Sequence, residues 1–204
     1  MVQKERTRIG RPRGYDPDTA LSAALVVFWD QGFAATSLDD LTAATGMNRP
    51  SLYAAFGDKR AIYAAALAAY KAASRRSLTA ALGPDYSLRE GIGNVYRIAL
   101  DSYIPKGRAA RGCFMIGSAL TEAVTDPVIR KDVSDGLKEI ETRFAERFRA
   151  SRGELAKGGD PKALAKIASA ALYSIAIQAR AGEPRKDLEA IGRAAIDLIA
   201  PRGK

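Results

Sequence analysis

The chain has 204 residues, 47% hydrophobic and 27% charged, with a formal net charge of +9, an ordinary composition for one or two compact globular units. Its single cysteine, Cys113, excludes an internal disulfide and a cysteine-built zinc site. The lack of any histidine removes every His-dependent triad and the commonest metal ligand.

The elements follow in chain order from their punctuation. Asp16-Pro17 is an N-cap with proline at the first helical position, starting a helix with Leu21, Ala24, Leu25 and Phe28 on one face that stops at Gly32. Ser37 caps a short second helix, with Asp40 as an acidic capping-box partner, which ends at Gly46. Asn48 caps a third helix ending at Gly57, and Asp58 caps a long alanine-rich fourth helix to about Leu82. Ser87 caps a fifth that Pro105 ends. A sixth is expected from about Gly112 to Val124, a seventh from Asp126-Pro127 to about Arg152, an eighth from Asp160-Pro161 to Gly182, and a ninth from Pro184 to Pro201. No segment shows the period-2 alternation of strands. The fold class is all-α with about nine helices, divided into residues 1–60 and a larger helical unit, 61–204.

No run approaches the roughly 18 apolar residues of a membrane span, and the polar N-terminus does not read as a secretory signal, so a cytoplasmic location and no membrane partner are expected. Phosphate-binding loops are missing too. Gly91-Ile92-Gly93 opens like a dinucleotide fingerprint but lies in a helical pattern without the third glycine. No cofactor, metal or catalytic residue is expected. The net charge favours anionic partners, yet residues 1–60 carry eight Lys/Arg against seven Asp/Glu. Only the leading arm, with Lys4, Arg6, Arg8, Arg11 and Arg13, is clearly basic, suited to the minor groove or backbone of DNA, or a basic tail without specific contacts.

The second helix, a Gly46-Met47-Asn48 turn and the third helix form the layout that projects a helix into the DNA major groove. Leu38, Leu41, Ala44, Leu52 and Phe56 read as its core. The stretch from Leu38 to Lys59, with its alanine-rich helix, Gly46, Ser51-Leu52-Tyr53, Phe56 and Lys59, resembles the DNA-binding signature of the TetR/AcrR regulators. The likeness extends upstream through Phe28, Gly32, Phe33, Thr36 and Ser37. It implies that Ser37, Tyr53 and Lys59 hold DNA phosphates and that Asn48, Arg49, Pro50 and Ser51 start the recognition helix. The chemistry agrees: Arg49 suits a bidentate contact to guanine, and Pro50 offers an apolar surface to a thymine methyl. Asp39 and Asp40 would repel phosphate unless they cap the helix or accept from a cytosine amine.

The same resemblance implies a dimeric repressor of double-stranded operator DNA, released by a small-molecule inducer held among helices five to seven. Tyr96, Tyr103, Cys113, Phe114, Phe144, Phe148 and Tyr173 are the candidate pocket residues, with plain core as the competing reading. They favour an apolar or aromatic ligand. Leu164, Ile167, Ala168, Ala171, Leu172 and Ile175 of helix eight, with Ile191, Ala195 and Leu198 of helix nine, form the candidate homodimer seam, or ordinary intramolecular core. Cys113 reads either as a thiol activated by Arg108, Arg111 and a helix start, or as a small buried hydrophobe. A helical small-molecule carrier and an architectural DNA-binding protein without ligand control are the alternative functions.

Overall fold

A computed structural model describes residues 16–202; the basic arm expectation, Lys4 to Arg13, lies outside them. Except at the sixth and ninth helices, each predicted helix start is made by its predicted side-chain cap. The Asp16 carboxylate accepts from the Thr19 amide (3.0 Å) at the head of α1, Pro17–Gln31. Ser37 and Asp40 close a reciprocal box at α2, Leu38–Thr45. Asn48 caps α3, Arg49–Phe56, Asp58 caps α4, Lys59–Ala81, and Ser87 with Glu90 caps α5, Leu88–Tyr103. Asp126 accepts from the amides of Val128 and Ile129 to begin α7, Pro127–Ala150. Asp160 does the same for α8, Pro161–Arg180, through Ala163, and Pro184 introduces α9, Arg185–Ile199. These side chains satisfy N–H groups that a helix start leaves without partners.

The sixth helix departs from expectation. Instead of running as one α-helix from Gly112, the chain is irregular to Cys113, passes through a π-helical turn, Met115–Ala119, and ends in the short α6, Leu120–Glu122. Gly112 has φ +64, outside the right-handed helical region, so it breaks the helix rather than starting it. In the widened turn that follows, Ser118 Oγ lies 2.9 Å from Tyr63 Oη and donates to the Phe28 carbonyl (3.4 Å). A π turn at such a junction is a common mark of a working site.

α1 packs on α2 and α4, and α3 touches both α2 and α4. α7, α8 and α9 pack in succession, with α5 against α8 and α9. The core is continuous between the two parts. Phe28 of α1, Tyr63 of α4 and Phe114 before the π turn meet in edge-on and tilted aromatic contacts. On α1 the buried face is Ala20, Ala24, Phe28 and Trp29; Leu21 and Leu25, set by their spacing on one face with Ala24 and Phe28, are only half-buried. No described helix is long and apolar enough to cross a membrane.

Candidate nucleic-acid interface and interior cavity

Leu41 and Leu52, one from each helix of the turn motif, are fully buried, and Met47 in the turn is buried between them in sequence. Gly46 takes φ +67, the left-handed conformation that lets α2 end and the chain reverse within two residues. Leu38 and Phe56 are half-buried against the same core. Ala44, expected inside, is exposed: with Ala43 it occupies the outer side of the last turn of α2, and a methyl group is small enough to stand there at little cost.

The side chains proposed for DNA separate into two kinds. Ser37 and Asn48 are spent on backbone. Ser37 Oγ donates to Asp40 Oδ2 (2.6 Å) and accepts from the Asp40 amide, while Asn48 Oδ1 accepts from the Ser51 amide (2.9 Å). The Ser37 hydroxyl and amide both donate to the Asp40 carboxylate and hold it below its ordinary range, the hydroxyl contributing most. Arg49, Pro50 and Tyr53 are exposed, and Ser51 is half-buried beside them on the first turns of α3. Lys59 is held with its ammonium 4.5 Å from the centre of the Phe33 ring, a cation–π contact that fixes a flexible side chain.

Both acids that threatened this face have partners. Asp40 is in the capping box, and Asp39 Oδ1 accepts from Arg49 Nη2 at 2.7 Å. Sequence reading missed the second pairing because the two residues lie ten positions apart on different helices.

Further in, a cavity of about 610 Å³ lies among α1, α4, α5 and the segment around Cys113. Trp29, Tyr70, Tyr103, Cys113, Met115 and Leu172 line its buried end, and it reaches the surface beside Asp18, Ser22, Arg76 and Ser77. Burial pushes the Tyr70 and Tyr103 phenols upward, so both stay neutral. Cys113 Sγ lies 3.2 Å from Tyr70 Oη.

Of the candidate pocket residues, Tyr103 and Cys113 line this cavity; Tyr96, Phe114, Phe144, Phe148 and Tyr173 do not. Tyr96 Oη donates to the Ala168 carbonyl (3.1 Å) and Tyr173 Oη to the Leu137 carbonyl (3.2 Å), which ties both rings to helix packing. Phe144 and Phe148 pack on each other, and Phe114 is enclosed by Trp29, Tyr63 and Tyr70. The sequence reading set the pocket among helices five to seven and so overlooked the contribution of α1 and α4. On α1, Leu21 and Leu25 run beside the buried face and meet it at Trp29, and these three side chains border the cavity.

The candidate dimer residues also divide. Ala168, Leu172, Ile175, Leu164 and Ala195 are buried inside the chain, and Ala171 and Ile191 are half-buried. Ile167 and Leu198 stand exposed at 39% and 58%. Ile167 belongs to an outward stripe with Ala163, Ala170, Ser174 and Ile177. Leu198 belongs to one with Ala190 and Ala194. Each stripe repeats every three or four residues, the spacing of one helix face.

Residues 20–66 match the family profile described as bacterial regulatory proteins, tetR family. Over the whole chain, the HTH-type transcriptional repressor ComR of Escherichia coli (strain K12) is 30% identical across 204 residues, 97% of this chain and 93% of ComR. The HTH-type transcriptional repressor BdcR of the same organism is 38% identical over 117 residues, 57% of this chain and 59% of BdcR. Among solved structures, a cysteine-substituted form of the TetR family transcriptional regulator CifR, complexed with 26-base-pair double-strand operator DNA, is 34% identical. It superposes with a TM-score of 0.79, with 93% of this chain and 100% of that one covered.

Proposed function

Since the chain belongs to the TetR family of bacterial transcriptional regulators, and is a DNA-binding regulator rather than an enzyme, we propose that it is a ligand-released repressor. In this reading a homodimer grips a palindromic operator and lets go when a small neutral, apolar or aromatic molecule occupies the cavity. The observation that carries the reading is the preorganised start of α3. Arg49, Pro50 and Tyr53 project from a helix whose cap, turn and core are all satisfied, so little ordering remains to be done on DNA.

Arg49 and Pro50 then face base edges, while Ser51, Tyr53 and Lys59 serve the phosphates. Ser37 and Asn48 act by setting the helix starts, whose free amides favour a phosphate neighbour. Residues 1–60 form the reading unit and 61–204 the effector and dimer unit. The repressor works in the cytoplasm, where its DNA lies.

The outward stripes of α8 and α9 supply the dimer seam, which is why their apolar side chains face away from the chain's own core. Two-fold symmetry then sets half-sites about 34–36 Å apart, or a multiple of that. Release is a population shift: the ligand acts only through its differential affinity for the two head separations. The relatives named repressors and the operator complex of CifR support this reading.

The test is fluorescence anisotropy of the full chain on the DNA flanking its own gene, with scrambled DNA as control, at two salt concentrations. Tight, sequence-selective binding is expected. Equal affinity for both DNAs with a steep salt slope marks an architectural protein instead, and binding to neither DNA removes the repressor reading.

A further inference from the structure

The cavity extends beyond the effector bundle. Leu21, Ser22, Leu25 and Trp29, all on α1, form part of its wall, and α1 is also the helix on which α2 of the reading unit rests. The other long wall, α4, is tied to α7 by three ion pairs: Arg60–Asp126 (2.6 Å), Lys71–Asp132 (2.8 Å) and Arg75–Glu139. Among the described residues, the polar contacts from α1 to the bundle gather at its C-terminal end. Trp29 Nε1 donates to the Gly112 carbonyl at 3.0 Å. Arg180 Nη1 donates to the Arg111 carbonyl at 2.9 Å and reaches the Trp29 carbonyl at 3.4 Å. The Arg111 guanidinium lies over the indole, 3.9 Å from its centre. One of its nitrogens, Nη1, is buried with no hydrogen-bond partner among the described residues, and burial lowers its pKa.

Trp29 therefore belongs to the cavity wall and to the clasp that holds α1 against the loop before the π turn. We propose that Trp29 senses the cavity's occupant. A planar, neutral aromatic molecule carrying a hydrogen-bond acceptor wedges beneath α1 and draws the indole N–H off the Gly112 carbonyl. α1 then moves and carries α2 and α3 with it. The inference rests on the ligand-released repressor reading and names both the ligand's chemistry and the route of its signal.

The ligand class follows from the wall. Trp29, Tyr70 and Tyr103 present aromatic faces and neutral phenols, and the charged lining residues, Asp18 and Arg76, stand exposed at the rim. No charged side chain among the described residues lines the buried end, so an ion there would lose its hydration without a counter-charge in contact. The acceptor is needed because an indole N–H pulled from its carbonyl and left buried carries the full desolvation penalty. The route is through α1 because α4 and α7 are linked along their length, so a wedge between α1 and α4 meets less resistance from α1.

The test uses Nile red, which is neutral and planar and carries a carbonyl, with the full-length chain. Trp29 is the only tryptophan, so its emission reports a dye bound near this site. Saturable uptake should quench that emission. Hydrogen exchange of amides in residues 17–56 should then rise by about fivefold, the worth of one hydrogen bond, while α7 stays unchanged. Trp29→Phe keeps a ring without the N–H. It should still take up the dye, but the dye should add no further exchange in α1 to α3. A dye-induced rise centred on α4, an equal rise in Trp29→Phe, or no saturable uptake overturns the proposal. The wild-type exchange map decides the route even if the variant does not fold. Operator binding by the dye-free chain is measured alongside. Its failure sinks the repressor reading, whereas normal operator binding with α1 unaffected by bound dye sinks this inference alone.

Discussion

Asp39 of α2 and Arg49 of α3 form an ion pair across the helix-turn-helix, with Oδ1 and Nη2 2.7 Å apart and both side chains largely exposed. In the proposed reading the pair cancels the negative charge nearest the DNA-facing side and presents the guanidinium already oriented. An exposed pair adds little to stability, so under that reading its effect falls on recognition.

Asp39→Asn should leave the urea midpoint unchanged and raise affinity for scrambled DNA more than for the operator. The variant loses a repelling charge and frees Arg49 to reach any phosphate, so discrimination narrows and the salt slope steepens. Anisotropy titrations across a salt series measure both quantities. Undiminished selectivity would show that the pair does not orient Arg49.

Ile177 and Leu198 are exposed at 57% and 58% on the outward faces of α8 and α9. Replacing both with Glu should give a chain with the wild-type circular dichroism spectrum that sediments as a monomer, because neither side chain supports the chain's own core. Charge buried in an apolar seam is costly. A double variant that still sediments as a dimer would place the interface elsewhere.

A Cβ at Gly112 would run into the Ala176 carbonyl oxygen, and the residue's φ is +64. Gly112→Ala should therefore cost about 2 kcal/mol or more, combining left-handed strain with a backbone collision. Gly93→Ala is the control: it lies in α5, where a Cβ meets only Ile196 Cδ1 at 3.8 Å. There the change should be neutral or stabilise by about 0.5–1 kcal/mol. Equilibrium urea unfolding of the two variants gives the comparison, and equal effects would contradict it.

Asp126 caps α7 and receives Arg60 Nε at 2.6 Å. Its carboxyl is lowered from 3.8 to about 2, chiefly by the hydrogen bond from Arg60 and further by the helix amides of Ile129 and Val128. A depressed folded pKa contributes stability that is fully present above the unfolded value and is lost as pH falls through the folded one. The stability difference between the wild type and Asp126→Asn should be constant above about pH 5 and shrink steadily towards pH 2. Unfolding midpoints measured across that range test the sign; a difference that grows on acidification would reverse it.

The helix starts and turns were legible because their causes are local. Asp16, Ser37, Asn48, Asp58, Ser87, Asp126 and Asp160 each bond an amide two or three residues ahead. Gly46 answers a backbone demand at its own position. The sixth helix was misjudged because what shapes it is distant: Gly112 lies against Ala176, and Ser118 against Tyr63 and Phe28. Ala44 stands outside although its place in the motif reads as core, because an alanine does not declare its face.

By itself, then, the sequence determined the all-α class, the helix order and the turn that sets α3 forward, since caps, glycines and apolar spacing act within a few residues. Only the tertiary structure decided which aromatic rings border empty space. A tyrosine or phenylalanine on an apolar face has the same local signature whether it meets another ring, as Phe144 meets Phe148, or a cavity, as Tyr103 does. Tertiary packing alone also brought Asp39 to Arg49 and Trp29 to Gly112, separated in the chain by 10 and 83 residues. Such pairings depend on how whole helices cross, and no short stretch of residues encodes that.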